Sequence, residues 1–501
     1  MTSSTRERTV FIIIRSAESH MPYLLLLLAA LIATFRCNSA PAAEARRPPN
    51  IVLIVSDDQG YRDLGCFGSK EAKTPRLDRL AKQGVIGTSF YVSWPACTPS
   101  RGSLLTGRYP QRNGLYDMIR NDRADDGHRY GKAEYAVSPE RLLGMDTREI
   151  MIARVLKRRG YATGVFGKWD GGQLKRFLPL QRGFDSFYGF VNTGIDYFTH
   201  ERYGVPSMVR DNTPTTEDKG MYCTDLFRRE ALKFIDRYRD RPFFLYVPFN
   251  APHGASSLDP KIRGAAQAPE KYKKMYPQLK DSFTQGRRYG KPALVPSRGK
   301  RRLEYLASIT CMDDAIGAIL DRLDRYQLAD NTLVVFFSDN GGSGSADNAP
   351  LRGRKATMWE GGLRVPFIAR FPGRIPPGTK SGEFLSSLEL FPTFAALAGA
   401  KLPTGVVYDG YDMLPVLAGK AKSRRTEMFW QRRGDKAARV GRYKWVASAR
   451  GGGLFDLETD VGERHDLSRE KPDVLKKLQT RFAAWRKRMD ESAPRGPFRD
   501  F

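Results

Sequence analysis

The hydrophobic positions of this chain fall into two spacings. Four short runs are apolar without alternation, and each one ends in polar residues. Ile51-Val52-Leu53-Ile54-Val55 runs into Ser56-Asp57-Asp58, and Tyr161 to Phe166 runs into Gly167-Lys168. Phe243-Phe244-Leu245-Tyr246-Val247 leads to Asn250 and His253, and Leu333-Val334-Val335-Phe336-Phe337 to Ser338-Asp339-Asn340-Gly341-Gly342. Continuous apolar runs mark strands buried on both faces, as in a parallel sheet covered by helices. Between the runs the apolar spacing turns helical. Thr74-Pro75 opens one helix with Leu77, Leu80 and Ala81 inward and Gly84 as its stop. A longer helix is predicted from about Arg302 to Arg325, with Leu303, Leu306, Ile309, Ile316, Leu320 and Leu323 inward.

Strands alternating with helices predict an α/β fold: a large, doubly wound, mostly parallel sheet flanked by helices. Ligands of such sheets bind beyond the carboxyl ends of the strands. All four runs carry their charged or coordinating residues at that end, so they are expected to converge on one crevice. Near residue 400 the texture changes. After a Pro- and Gly-containing stretch come short strand candidates at Glu427–Trp430, Ala438–Val440, Tyr443–Val446 and Leu454–Leu457. A last helix has Leu475, Leu478, Phe482, Trp485 and Met489 at 3,4 spacing. The expected division is a large α/β domain over residues 48–400 and a smaller α+β domain over 401–501.

The amino terminus belongs to neither. Arg6, Arg8 and Arg15 precede an apolar block from Met21 to Phe35, and small residues follow from Ser39 to Ala45. This reads as a secretory signal over residues 1–45, with Met1 or Met21 as the start. The block is short for a membrane span, and Arg36 argues against lipid attachment at Cys37. An exported protein, periplasmic or extracellular and without a stable membrane span, is expected. Setting Cys37 aside with the signal, the remaining cysteines cannot form a disulfide framework, and core packing is their expected role.

Charge narrows the partners. Lys and Arg outnumber Asp and Glu by 83 to 55 among 501 residues, a net charge of +28. Arg287 to Arg302 holds seven basic residues and no acidic one. This balance suits polyanions. No recognisable nucleic-acid module is present, and export argues against nucleic acid as partner. Anionic surfaces and sulfated glycans remain the expected partners.

The densest signal is Cys97-Thr98-Pro99-Ser100-Arg101-Gly102. Locally, Thr98 reads as a helix cap with Pro99 in the first turn. Continued through Ser103-Leu104-Leu105-Thr106-Gly107-Arg108, the stretch resembles the signature of the type I, formylglycine-dependent sulfatases, arylsulfatase-like members of the alkaline phosphatase superfamily. The stretch from Leu454 to Asp460 and on to Leu467 is similar to the end of many sulfatases, so the resemblance spans roughly residues 48–470.

The resemblance implies a sulfuric ester hydrolase acting on a sulfated carbohydrate, with residues 48–400 as its catalytic domain. It implies that Cys97 is oxidised to formylglycine by a maturation enzyme. Asp57, Asp58, Asp339 and Asn340, with the modified Cys97, are implied ligands of one divalent cation, Ca²⁺ first and Mg²⁺ as the alternative. Those carboxylates and the amide are a hard-oxygen set, unlike the His and thiolate sets of zinc. Arg101 is implied to hold the aldehyde hydrate, and Lys168 of Gly167-Lys168-Trp169 to contact the sulfate. His253 of Ala251-Pro252-His253 is implied to contact the ester oxygen and donate a proton to the leaving group. Lys355, ahead of Glu360-Gly361-Gly362-Leu363-Arg364-Val365-Pro366, completes the set. A metal and several cations around a nucleophile are what displacement at a tetrahedral anion requires. One position departs from the pattern: Asp170 stands where the family has His after Gly-Lys-Trp. A carboxylate cannot supply positive charge to a sulfate, so Asp170 is expected to bind a sugar hydroxyl and set specificity. Phosphonate or phosphate monoester hydrolysis, and sulfated-glycan binding with impaired catalysis, are the alternatives.

Overall fold

Each of the four apolar runs forms a strand, and the four strands lie side by side. The computed structural model describes residues 47–119, 144–288 and 290–492; the expected signal and Cys37 lie outside them. In chain order the main strands are β1 (Asn50–Ser56), β2 (Val85–Tyr91), β3 (Ala162–Lys168), β4 (Ser186–Phe190), β5 (Phe243–Pro248), β6 (Thr332–Ser338) and β7 (Arg364–Arg370). They form most of an eleven-stranded sheet, in the order β2-β7-β6-β1-β5-β3-β4. From β6 to β4 the pairing is parallel; β7 runs antiparallel to both β6 and β2. Ser56 pairs with Ser338, and Val55 with both Phe337 and Pro248. In-register parallel strands end together, so Asp57 and Asp339 leave the sheet at the same level.

Burial on both faces explains the missing alternation. Val52 and Ile54 join one core, Ile51, Leu53 and Val55 the other, and all five are fully buried. Each such side chain stabilises the fold by about 1.5–3 kcal/mol relative to exposure. The flanking helices are α1 (Pro75–Lys82), α2 (Cys97–Thr106), α3 (Cys223–Tyr238) and α4 (Arg298–Arg325). All the inward residues predicted for α1 and α4 are buried. Their starts needed tertiary information. The first amides of α1 are held by the Asp313 carboxylate of α4, which accepts from Arg76 N–H at 2.9 Å and Leu77 N–H at 2.8 Å. α4 begins one turn earlier than predicted, where Ser297 Oγ accepts from Lys300 N–H at 3.1 Å.

The C-terminal strands β8 (Glu427–Arg432), β9 (Asp435–Val440), β10 (Tyr443–Ser448) and β11 (Gly451–Asp456) form an antiparallel meander. Helix α5 (Pro472–Asp490) packs on it through Leu478, Phe482, Trp485 and Met489. This core also takes in Tyr91, Tyr109 and Trp359, and the chain from Pro48 onward is one compact unit. Cys66, Cys97, Cys223 and Cys311 are free thiols. Among the described residues no helix is long and apolar enough to cross a membrane. The basic segment is a hairpin, Phe283–Arg288 with Lys291–Pro296, leading into α4. Part of its charge is spent internally: Lys300 pairs with Asp281 and Glu304, and Arg302 with Asp63 and Glu71.

Candidate active site

The crevice at the carboxyl ends of β6, β1, β5 and β3 brings all ten sequence-predicted residues into one connected set. Asp57 and Asp58 follow β1, Asp339 and Asn340 follow β6, Lys168 ends β3, and His253 follows β5. The first turn of α2 supplies Cys97 and Arg101. Helix α2 starts at Cys97 itself, behind an extended Ala96, so Thr98 is not its cap. The Thr98 hydroxyl instead donates to Asp170 Oδ1 at 2.8 Å. Asp58 and Asp170 both hold left-handed φ angles, 62° and 55°, which Asp tolerates better than most residues.

Ion pairs knit the set together. Arg101 donates through Nε to Asp339 Oδ2 at 2.9 Å, and its Nη2 lies 3.8 Å from Asp57 Oδ1. Lys168 Nζ donates to Asp57 Oδ2 at 2.7 Å and stands 3.6 Å from Asp170 Oδ2. Lys355 Nζ bridges Asp58 Oδ1 at 2.6 Å and Cys97 Sγ at 3.2 Å. His253 Nε2 lies 3.7 Å from Asp58 Oδ2. His253 and Lys355 side chains are 20% and 19% exposed, while the other paired charges of the set are 5% exposed or less. The mouth of the crevice therefore lies at His253 and Lys355.

Burial pushes the carboxyls of Asp58, Asp170 and Asp339 upward, and their neighbours decide the outcome. At Asp58 the opposing pull of Lys355, His253 and Asn340 wins and holds the group well below the usual carboxylate range. Asp339 is pushed up to about 6 by burial and by Asp57, against the pull of Arg101. Asp170 is raised by burial against Lys168 and Arg101. Burial lifts the Cys97 thiol to about 12. It lowers His253 to about 3, with Lys355 and Lys168 adding to the effect against Asp58, so the imidazole is neutral in the free site.

The donors fit a divalent cation. One oxygen or nitrogen or sulfur atom each from Asp57, Asp58, Cys97 and His253 lies within 4.8 Å of the others. Asp57 Oδ1 and Asn340 Oδ1 are buried with no hydrogen-bond partner, a costly state that a hard cation would relieve. Four carboxylates (Asp57, Asp58, Asp170, Asp339) face three cationic side chains (Arg101, Lys168, Lys355). The cluster is thus net negative by itself, and a divalent ion reverses its sign toward an anionic ester.

Sequence reading missed what holds Lys355 in reach. A Cβ on Gly341 would fall 1.8 Å from Gly361 O, so only glycine lets the turn after Asn340 lie against the Glu360-Gly361-Gly362 segment. Gly341 N–H donates to Gly362 O and Lys355 N–H to Gly342 O, both at 3.1 Å. Ser343, on the same turn, donates to Asp58 Oδ2 at 2.8 Å. Behind it, Glu360 is fixed from the C-terminal sheet: fully buried Lys444 pairs with Glu360 Oε1 and Glu463 Oε1, each at 2.9 Å. Glu463 Oε2 accepts from Glu360 N–H at 2.6 Å. The sequence signals for this were the Glu360-Gly361-Gly362 motif and the family-like ending that contains Glu463.

Comparison with known proteins gives the following likenesses. The sulfatase family model matches residues 49–400, and one described as N-sulphoglucosamine sulphohydrolase, C-terminal, matches residues 354–488. N-acetylgalactosamine-6-sulfatase of Canis lupus familiaris is 34% identical over 428 residues, covering 80% of this chain and 72% of its own length. Arylsulfatase A of Homo sapiens is 32% identical over 500 residues, covering 86% of this chain and 87% of its own. The solved structure of Ps i-CgsB in complex with k-i-k-neocarrahexaose matches with a TM-score of 0.74 at 32% identity, covering 88% of this chain and 93% of that one.

Proposed function

The chain belongs to the sulfatase family and is a sulfuric ester hydrolase; we propose that it releases sulfate from a sulfated carbohydrate, using a formylglycine made from Cys97. The observation that carries this reading is Lys355, whose ammonium joins Cys97 Sγ to the Asp58 carboxylate. It puts the nucleophile's position, a cation and the metal-type donors within one contact of each other. Oxidised and hydrated, position 97 would supply a hydroxyl nucleophile, and a divalent cation held by Asp57, Asp58, Asp339 and Asn340 would lower the cost of its ionisation. Arg101, anchored on Asp339, holds the other oxygen of that group. Lys168 and Lys355 neutralise the sulfate oxygens as charge grows on them. His253 stands at the mouth as proton donor to the leaving alcohol; it starts neutral, and a bound sulfate favours its protonation.

The same reading takes Asp57, Asp58, Asp339 and Asn340, with position 97, as ligands of one Ca²⁺, Mg²⁺ being the alternative. It also takes an exported protein with a signal over residues 1–45, a formylglycine-generating maturation enzyme as partner, and a catalytic part over 48–400 followed by 401–501. A carbohydrate substrate is supported by the N-acetylgalactosamine-6-sulfatases among the relatives and by the oligosaccharide bound to Ps i-CgsB. The test is sulfate release from sulfated glycans against sulfate and phosphonate monoesters of one aryl alcohol. Release only from aryl esters removes the carbohydrate reading, and faster phosphonate turnover favours the neighbouring hydrolase class. Binding of glycan without release, by protein with verified formylglycine, favours impaired catalysis.

Removing the cation gives the first expected result. Exhaustive chelation, or Asp339→Ala, abolishes turnover and lowers stability by a few kcal/mol, about 2.7 if the ion had been present at 100 times its Kd. Calorimetry with added Ca²⁺ reads the recovery; full activity in a metal-free preparation refutes the ligand set.

Asp170 gives the second. Its Oδ2 is buried without a hydrogen-bond partner, an acceptor suited to a sugar hydroxyl. Asp170→Ala should cost the glycan about ten- to a hundredfold in kcat/KM, the worth of one hydrogen bond to a charged group, and cost an aryl sulfate at least tenfold less. Equal losses on both substrates would instead make Asp170 a positioning residue for Lys168 and Thr98.

A further inference from the structure

The wall that carries His253 continues into a basic surface. The segment from Gly194 to Pro206 lies against the segment that follows His253. Ser256 N–H donates to Ile195 O at 3.3 Å, Tyr203 N–H donates to Ser256 O at 2.8 Å, and a Cβ on Gly194 would sit 3.0 Å from the His253 ring. Within this segment Glu201–Arg202 pairs antiparallel with Val205–Pro206, closed by Tyr203-Gly204. Both turn residues have positive φ, 50° and 92°. That is the signature of a type I′ hairpin turn, which favours Asn or Gly at its first position. A bulky aromatic is strained there and persists where the surroundings hold it in place.

A use for the ring is legible in what it collects. The Arg263 guanidinium lies 4.3 Å from the Tyr203 ring centroid and that of Arg202 lies 5.2 Å from it. Arg288, from the basic hairpin, donates to Arg263 O at 3.4 Å, and Lys291 is its cross-strand partner. The acidic residues of this wall are already engaged: Glu201 Oε1 accepts from Lys219 Nζ at 2.6 Å, Asp196 Oδ1 from Phe198 N–H at 3.0 Å, and Asp259 Oδ1 from Lys261 N–H at 2.8 Å. Stacking on one ring orders two guanidinium forks before any ligand arrives, and such forks suit the paired oxygens of a sulfate or carboxylate. Only Gly254 and Ala255 separate His253 from Ser256, so these cations border the mouth of the crevice.

We infer that Arg202 and Arg263, stacked on Tyr203, together with Arg288 beside Arg263, form a second anion subsite. It binds the sulfate or carboxylate of the sugar next to the one being desulfated. The inference rests on the carbohydrate reading above and deepens it: the substrate is a polyanionic oligomer rather than a singly charged sugar ester. The subsite also gives the excess basic charge of this face a task that ordinary solvation does not.

The test compares three oligosaccharides with the same scissile sulfate, whose neighbouring sugar carries a second sulfate, a carboxylate or neither. The wild type should turn over an anionic neighbour with kcat/KM about tenfold above the neutral one, through KM, and this advantage should shrink as salt rises. Arg263→Ala together with Arg202→Ala should reduce the advantage to under about threefold, and Arg263→Lys should keep part of it. Tyr203→Gly relieves the turn, so it should leave the fold as stable or more so while losing the advantage, an outcome a purely structural tyrosine would not give. The two anionic arms decide which group the subsite prefers. Calorimetric binding of the same oligosaccharides to Cys97→Ala protein reads the subsite without turnover. Equal values for all three in the wild type, or an advantage that survives the double arginine variant, overturns the subsite. No release from any of them beside good turnover of an aryl sulfate overturns the carbohydrate reading itself.

Discussion

Cys97→Ala is expected to leave no measurable sulfate release, a loss of at least about 10⁴-fold, as when a covalent nucleophile is deleted. The thiol as it stands is not equipped for the reaction. It is 1% exposed and burial lifts it to about 12, so it carries almost no thiolate at neutral pH. An oxidised, hydrated side chain at the same position has no such handicap. Peptide mass spectrometry of protein from its own host, or made beside a maturation system, should find formylglycine at position 97. The variant should still fold, because removing one sulfur from a core position costs on the order of 1 kcal/mol. Fully active protein carrying only unmodified thiol at Cys97 would refute the nucleophile.

Lys444→Met should be the most destabilising single change outside the crevice. Lys444 is the shared counter-ion of Glu360 and Glu463, and all three side chains are 0% exposed. Burial raises both carboxyls. At Glu360 the pull of Lys444, Arg364 and Arg439 outweighs it and keeps the group ionised. At Glu463 burial and Glu360 win against Lys444 and raise it to about 7. Removing the lysine strands a buried negative charge, which costs about 3–5 kcal/mol. Denaturant unfolding of the mature protein measures it. Adding Glu463→Gln should recover part of the loss, since one fewer carboxylate is then left uncompensated. A loss under about 1 kcal/mol, or no recovery in the double variant, would show that the network is not what joins the C-terminal sheet to the Glu360 turn. Activity should fall with it, because that turn lies five residues from Lys355.

The sequence by itself determined the elements and the direction in which their chemistry points. An apolar run such as Ile51–Val55 can be read locally, because burial on both faces removes alternation whatever the neighbours are. A helical stripe such as Leu303 to Leu323 is legible for the same reason. The placing of Asp57, Lys168, His253 and Asp339 at strand ends then implied one crevice, and the sheet order β6-β1-β5-β3 makes those ends adjacent. The motif around Cys97 carried the reaction class through resemblance, not through spacing.

Tertiary structure decided which charge meets which. Thr98 reads as a cap because its sequence neighbours allow one. Its hydroxyl goes to Asp170 instead, 72 positions away, and a carboxylate takes it because burial makes that acceptor the costlier one to leave unpaired. Asp313 replaces Thr74 at the start of α1 for the same reason. Lys355 reaches Cys97 across 258 positions, and only the glycine contact between Gly341 and Gly361 brings its loop close enough. Lys444, Glu360 and Glu463 are ordinary surface residue types in the sequence, and their complete burial follows from docking two sheets. Hydrophobic spacing is a local property of the chain, whereas an ion pair between distant residues is fixed only when the backbone has brought them together. That is why the fold and the crevice were legible in this sequence, and why the partners within the crevice were not.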